Sequence, residues 1–109
     1  MAQNYKVLGQ IAPSATTATT IYTVPSATEA VVSSVSVCNR AGTAATFRLS
    51  VRPDGASLAN QHYLVYDANL NANDTIILTI GVTMDATDVL EGYATSGDLT
   101  FHAYGSEIT

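Results

Sequence analysis

The sequence predicts an all-β fold, an antiparallel β-sandwich or jelly-roll-like domain of about eight short strands, and three observations predict it. Apolar residues recur with a period of two through most of the chain, and no segment shows a comparable helical spacing. The apolar runs are short and rich in β-branched and aromatic residues. Between them lie clusters of Pro, Gly, Asn, Asp and Ser, residues that favour tight turns, at the spacing expected of sandwiches and barrels.

Each element follows from its own residues. The first run is Tyr5-Lys6-Val7-Leu8, followed over residues 12–20 by small polar residues with little apolar surface. Residues 1–16 are therefore expected to form an extended N-terminal arm or an edge strand, which leaves sheet addition to a neighbouring subunit open. The next runs are Thr20–Val24, Val31–Val37 and Phe47–Arg52; in the last, Arg48, Ser50 and Arg52 take the face opposite Phe47, Leu49 and Val51. Pro53-Asp54-Gly55 reads as a turn, and residues 56–61 as either a short helical turn or a Greek-key crossing. His62–Tyr66 is the fifth run, and Thr75–Met84 shows the cleanest alternation. Asp88–Tyr93 and Leu99–Tyr104 complete the set. The inward positions expected to build the core are Ile21, Val31, Val35, Val37, Phe47, Leu49, Val51, Ile76, Leu78, Ile80 and Phe101.

A chain of 109 residues fits one domain. Charged residues are 12% of it, about half of the ~25% usual in soluble domains, so Thr, Ser, Asn and Ala must cover much of the surface. A net charge of −5 repels phosphate backbones and anionic lipid, so neither nucleic acid nor a membrane is expected as a partner. Cys38 is the only cysteine, which excludes an intrachain disulfide and a cysteine-cluster zinc site. The opening residues have no basic stretch leading into a long apolar one, so synthesis without a Sec signal and no membrane span are expected.

Catalytic chemistry finds little support. His62 and His102 lie in strand-like runs without further ligands at short spacing, so a metal pair with Asp67 or Asp85 is set aside for two half-exposed strand positions. Asp85-Ala86-Thr87-Asp88 lacks the glycine and distal glutamate of a calcium loop and reads as a turn with local hydrogen bonds. No Gly-x-Ser-x-Gly elbow occurs, and the acids fall mostly in turns, where they are expected to be hydrated. The expectation is a protein with no catalytic residues, no metal and no cofactor.

Interface residues are easier to nominate. Arg40, Arg48 and Arg52 are three of only four basic residues, and alternation puts Arg48 and Arg52 on one sheet face. They are either a solvated rim or partners across a subunit boundary for carboxylates such as Asp54, Asp67 or Glu91. Six tyrosines dominate the aromatics, against two Phe and no Trp, and tyrosine is favoured at protein interfaces. Candidate interface residues are accordingly Tyr5, Val7, Arg48, Arg52, Tyr63 and Tyr66.

Several segments in order carry a resemblance: Asn4–Gln10, Tyr22–Glu29, Val37-Cys38-Asn39-Arg40, Ser50–Gly55, Asn60-Gln61-His62-Tyr63 and Gly105–Thr109. Together, over nearly the whole chain, they resemble a family of small virion structural proteins of tailed bacteriophages, especially those infecting cyanobacteria. The resemblance implies a structural component of a phage particle, made in the host bacterial cytoplasm, with no catalytic residues to carry over. The expected role within the particle is a capsid decoration or cement protein, a homo-oligomer, as a trimer, over the joints between major capsid subunits. A tail, baseplate or fibre-associated β-domain is the alternative, and a small carbohydrate-binding adhesin module the second.

Overall fold

A computed structural model describes residues 2–109 and contains all eight expected strands. They are β1 (Gln3–Ile11), β2 (Thr19–Thr23), β3 (Glu29–Asn39), β4 (Ala45–Arg52), β5 (Tyr63–Leu70), β6 (Thr75–Met84), β7 (Val89–Ala94) and β8 (Leu99–Ile108). Two four-stranded antiparallel sheets result. One, in the order β1-β8-β3-β6, holds the first and last strands and is called here the terminal sheet. The other, β2-β7-β4-β5, contains the β4–β5 hairpin and is called the hairpin sheet.

The pairing is nested. β1 pairs β8, β2 pairs β7, β3 pairs β6 and β4 pairs β5, while β8 also joins β3 and β7 also joins β4. Every connection except that from β4 to β5 passes from one sheet to the other, which is the eight-stranded jelly-roll arrangement. Residues 53–62 join two neighbours of the same sheet, so this segment is a hairpin connection ending in a helical turn at Asn60–His62. Of the two readings of residues 56–61, the helical turn is the one found.

Alternation decides the interior. Ile21, Val35, Val37, Phe47, Leu49 and Phe101 are buried as expected, and Val51, Ile76, Leu78 and Ile80 pack partly buried against them. Phe47 of the hairpin sheet meets Phe101 of the terminal sheet edge to face, with centroids 6.1 Å apart, and so ties the two layers together. Val31 departs from the expected set. It is only half-buried, and its neighbour Val32 is fully buried in its place. The cause is a β-bulge between Val32 and Ser34, present in the ladders of β3 with both β6 and β8, which shifts the inward phase by one residue upstream of Ser33.

The bulge also explains a glycine. At Gly105 of β8, a Cβ would overlap the carbonyl oxygen of Val31, so only glycine lets the two backbones approach here.

The N-terminal segment is an edge strand in this chain. β1 pairs with β8 from Gln3 to Ile11, with Pro13 buried beyond it and the N–H of Thr16 donating to the carbonyl of Ala94 at 2.8 Å. Met1 lies outside the described residues.

Candidate interface surfaces

The six candidate residues fall on the outer faces of the two sheets, one face on each side of the sandwich. On the terminal sheet, Tyr5 and Val7 stand on β1 opposite Ser106 and Tyr104 of β8. They border an open groove of about 640 Å³ that also takes in Val31, Ser33 and Tyr104. Tyr5 is 81% exposed, an unusual position for a large aromatic side chain. The outward turn of Val31 at the bulge therefore supplies part of this groove.

On the hairpin sheet the arrangement is tighter. Phe47 pairs with Ala68 and Leu49 with Val65, so β5 carries one extra residue there and presents both Tyr66 and Asp67 to Arg48. Asp67 accommodates the bulge with φ of 53°. Arg48 Nε donates to Asp67 Oδ1 at 2.7 Å and a second guanidinium nitrogen donates to Oδ2 at 3.3 Å. The guanidinium lies 4.2 Å from the ring centroid of Tyr66 and 4.5 Å from that of Tyr93. Hydrogen bonding to Asp67 holds the Arg48 proton more firmly still than in free arginine. Tyr63 meets Tyr66 edge to face at 4.8 Å, and the two rings with Asn60 border a hollow of about 270 Å³.

Arg52 has a different task. Its Nε donates to Glu91 Oε2 at 3.1 Å, and another guanidinium nitrogen donates to the carbonyls of Gly55 and Ala56 at 3.0 and 2.8 Å. It anchors the β4–β5 connection. Asp67 and Glu91, two of the carboxylates that a pairing across a subunit boundary would use, are thus engaged by Arg48 and Arg52 within the same chain. Asp54 instead accepts from the Thr87 hydroxyl at 2.5 Å, which links the β4–β5 and β6–β7 turns. Arg40 lies apart from the other two arginines, donating to Thr100 and to the carbonyl of Gly97.

Two strand-borne acids are buried rather than hydrated, Glu91 and Glu107. Glu107 on β8 joins three strands: Lys6 of β1 approaches Oε1 at 2.8 Å, and the hydroxyl of Tyr22 of β2 donates to Oε2 at 2.5 Å. Bonding from Lys6, then from Tyr22, holds the Glu107 carboxyl below the usual glutamate value. Burial, reinforced by Glu107, pushes the Tyr22 phenol up. Nothing in the local sequence signals this cluster, because Lys6, Tyr22 and Glu107 meet only when the two sheets close.

His62 and His102 lie apart, His62 in the helical turn before β5 and His102 on β8 of the terminal sheet. His62 is buried in the turn before β5, a correction to its half-exposed reading, because its Nδ1 is turned inward to accept the N–H of Ala59 at 3.0 Å. His102 lies between the Gln10 amide at 3.3 Å and the Tyr104 hydroxyl at 2.9 Å. Among the described residues, no three His, Cys, Asp or Glu side chains converge as a metal site. Asp88 accepts the N–H groups of Asp85 and Asp54, and Asp85 that of Ala86, as turn acids do. No helix among the described residues is long and apolar enough to cross a membrane.

No family model matches the chain, and no curated protein does. What it does must therefore be argued from its own surfaces. Tyr93, Tyr104, Asn60 and Ser33 are members of these surfaces that the sequence did not nominate, and Val31, expected in the core, is another. Tyr93 and Tyr104 each sit on an outward strand position, but only the sheet order brings Tyr93 beside Arg48 and Tyr104 beside Val7.

Proposed function

We propose that this chain is a non-enzymatic structural protein of a tailed-phage particle and serves as a capsid decoration protein. The observation that carries the reading is the outer face of the terminal sheet, where a largely exposed Tyr5 and Val7 flank an apolar groove beside the sheet edge. Such an edge offers unpaired main-chain groups to a partner, and the groove offers apolar surface to bury. The sparse charge of the chain limits electrostatic repulsion between copies packed side by side. The segment-by-segment resemblance to phage virion proteins supports the same class. In this reading the partner is the major capsid protein, and the decoration unit is a homo-oligomer, a trimer.

Quantitative mass spectrometry of purified particles tests it, combined with tracing the chain in a reconstruction of the intact virion. A copy number that scales with the capsid subunits supports decoration. A handful of copies at one vertex moves the chain to the tail, baseplate or fibre, and absence from the particle overturns the reading. Tyr5→Ala is expected to leave the fold intact by circular dichroism and to weaken binding to stripped capsids.

A further inference from the structure

We propose that the hollow bordered by Asn60, Tyr63 and Tyr66 is a binding site for a single uncharged pyranose ring. This goes beyond the virion role and does not rest on it, since the site belongs to the opposite face from the Tyr5 groove.

The hollow is small and aromatic. At about 270 Å³ it falls just below the ~300–1,000 Å³ of sites that enclose drug-sized ligands, which suits one sugar ring. An edge-to-face pair at 81° sets the rim of one ring against a face of the other, so the contact covers one face of one ring and leaves the remaining aromatic surface to Arg48 and to solvent. Tyr66 accordingly remains 59% exposed. The face of a tyrosine ring is electron-rich, and the C–H face of a pyranose presents weakly positive hydrogens to it.

Both supports of the hollow are fixed. Tyr66 is backed by Arg48, which itself donates two bonds to Asp67 and stacks on Tyr93. Asn60 stands in a turn closed by two bonds between Ala59 and His62, one from the His62 N–H to the Ala59 carbonyl and one from the Ala59 N–H to His62 Nδ1. A ring and a backbone turn held in place before binding lose little freedom when a ligand arrives. The side-chain amide of Asn60 both donates and accepts, as a sugar hydroxyl requires.

Charge selects the class of ligand. No cation lines the hollow, and Arg48, which stacks on Tyr66, is already matched by Asp67, so it is not free to hold a phosphate or carboxylate. A neutral saccharide, with an apolar C–H face for a tyrosine ring and hydroxyls for the Asn60 amide, fits this lining.

Titration of the folded protein, followed by amide NMR, with the methyl pyranosides of glucose, galactose and mannose and with N-acetylglucosamine tests the proposal. At least one of the four is expected to give saturable shifts centred on Asn60, Tyr63 and Tyr66, with a dissociation constant on the order of 1 mM for a single ring. Asn60→Ala, at an exposed turn position, is expected to weaken it by roughly fivefold, the effect of one hydrogen bond. Tyr66→Ala is expected to abolish it, with the amide spectrum serving as the check that the sheet is intact, and Tyr5→Ala to leave it unchanged. No saturable shift with any of the four sugars overturns the proposal. So does binding that survives both the Asn60 and the Tyr66 substitutions.

Discussion

The two outer faces of the sandwich use aromatic residues in opposite ways. On the hairpin sheet, Tyr66 and Tyr93 bracket an arginine that is itself pinned by Asp67, so each part holds the next. On the terminal sheet, Tyr5 projects from an edge strand beside an open groove, and no aromatic ring stacks on it among the described residues. Exposure alone does not distinguish them, because Tyr66 and Tyr5 are both more than half exposed. Fixed geometry does. A pre-arranged ring suits a small ligand that can contribute little binding energy, whereas a free ring suits a large partner that supplies its own order on docking.

The largest expected effect sharpens this contrast from beneath the groove. Gly105→Ala drives a methyl group into the Val31 carbonyl and must displace the bulge that forms the groove. A loss of about 3 kcal/mol by chemical denaturation is expected, a large share of the ~5–15 kcal/mol available to a domain. If stability is unchanged, the bulge is soft and the groove has no fixed shape.

A smaller effect is expected on the opposite face. Arg48→Lys keeps the charge but gives up both the two-point grip on Asp67 and the planar stacking on two rings. The melting temperature should fall by less than in the Gly105 variant, and the Tyr66 ring signals should broaden or shift in NMR spectra. Unchanged Tyr66 signals would mean that the ring is held by the sheet alone and that the contrast between the faces is false.

The smallest effect concerns the attachment of β1. Because the Glu107 carboxyl is held below its ordinary value of 4.5, its contribution to stability is present above that pH and is lost as the pH falls through the lowered value. Glu107→Gln should therefore be less stable than the parent at neutral pH, and the difference should close on acidification. Melting curves across that range check it. A gap that stays constant with pH would show that the carboxylate charge has no part in holding β1 to β2 and β8.

How much of this was legible in the sequence depends on whether a feature is local. All eight strands were, because alternation of the kind seen from Ile76 to Met84 is a property of neighbouring residues. The inward phase of Val31 was not, since Val31-Val32 reads equally well in either phase and the bulge at Ser33 is fixed by contacts with β6 and β8. Arg48 was identifiable as an outward residue, but its partner was not, because the extra residue in β5 is what brings Asp67 and Tyr66 opposite it. Glu107 illustrates the limit: its partners Lys6 and Tyr22 are 101 and 85 positions away in the chain, and only the finished sandwich brings them together.

The nested strand order has a consequence for how the chain comes into being. The last strand made, β8, lies between β1 and β3, and the strand before it, β7, lies between β2 and β4. During synthesis β4 can pair with β5 and then β3 with β6, yet β2 and β1 have no ladder to join until β7 and β8 have emerged. Throughout that interval the inner edge of β3 and the apolar side chains of Val32, Val35 and Val37 stay uncovered. Pairings this distant in sequence close slowly, so the nascent protein passes through a window in which sticking to other nascent chains competes with folding.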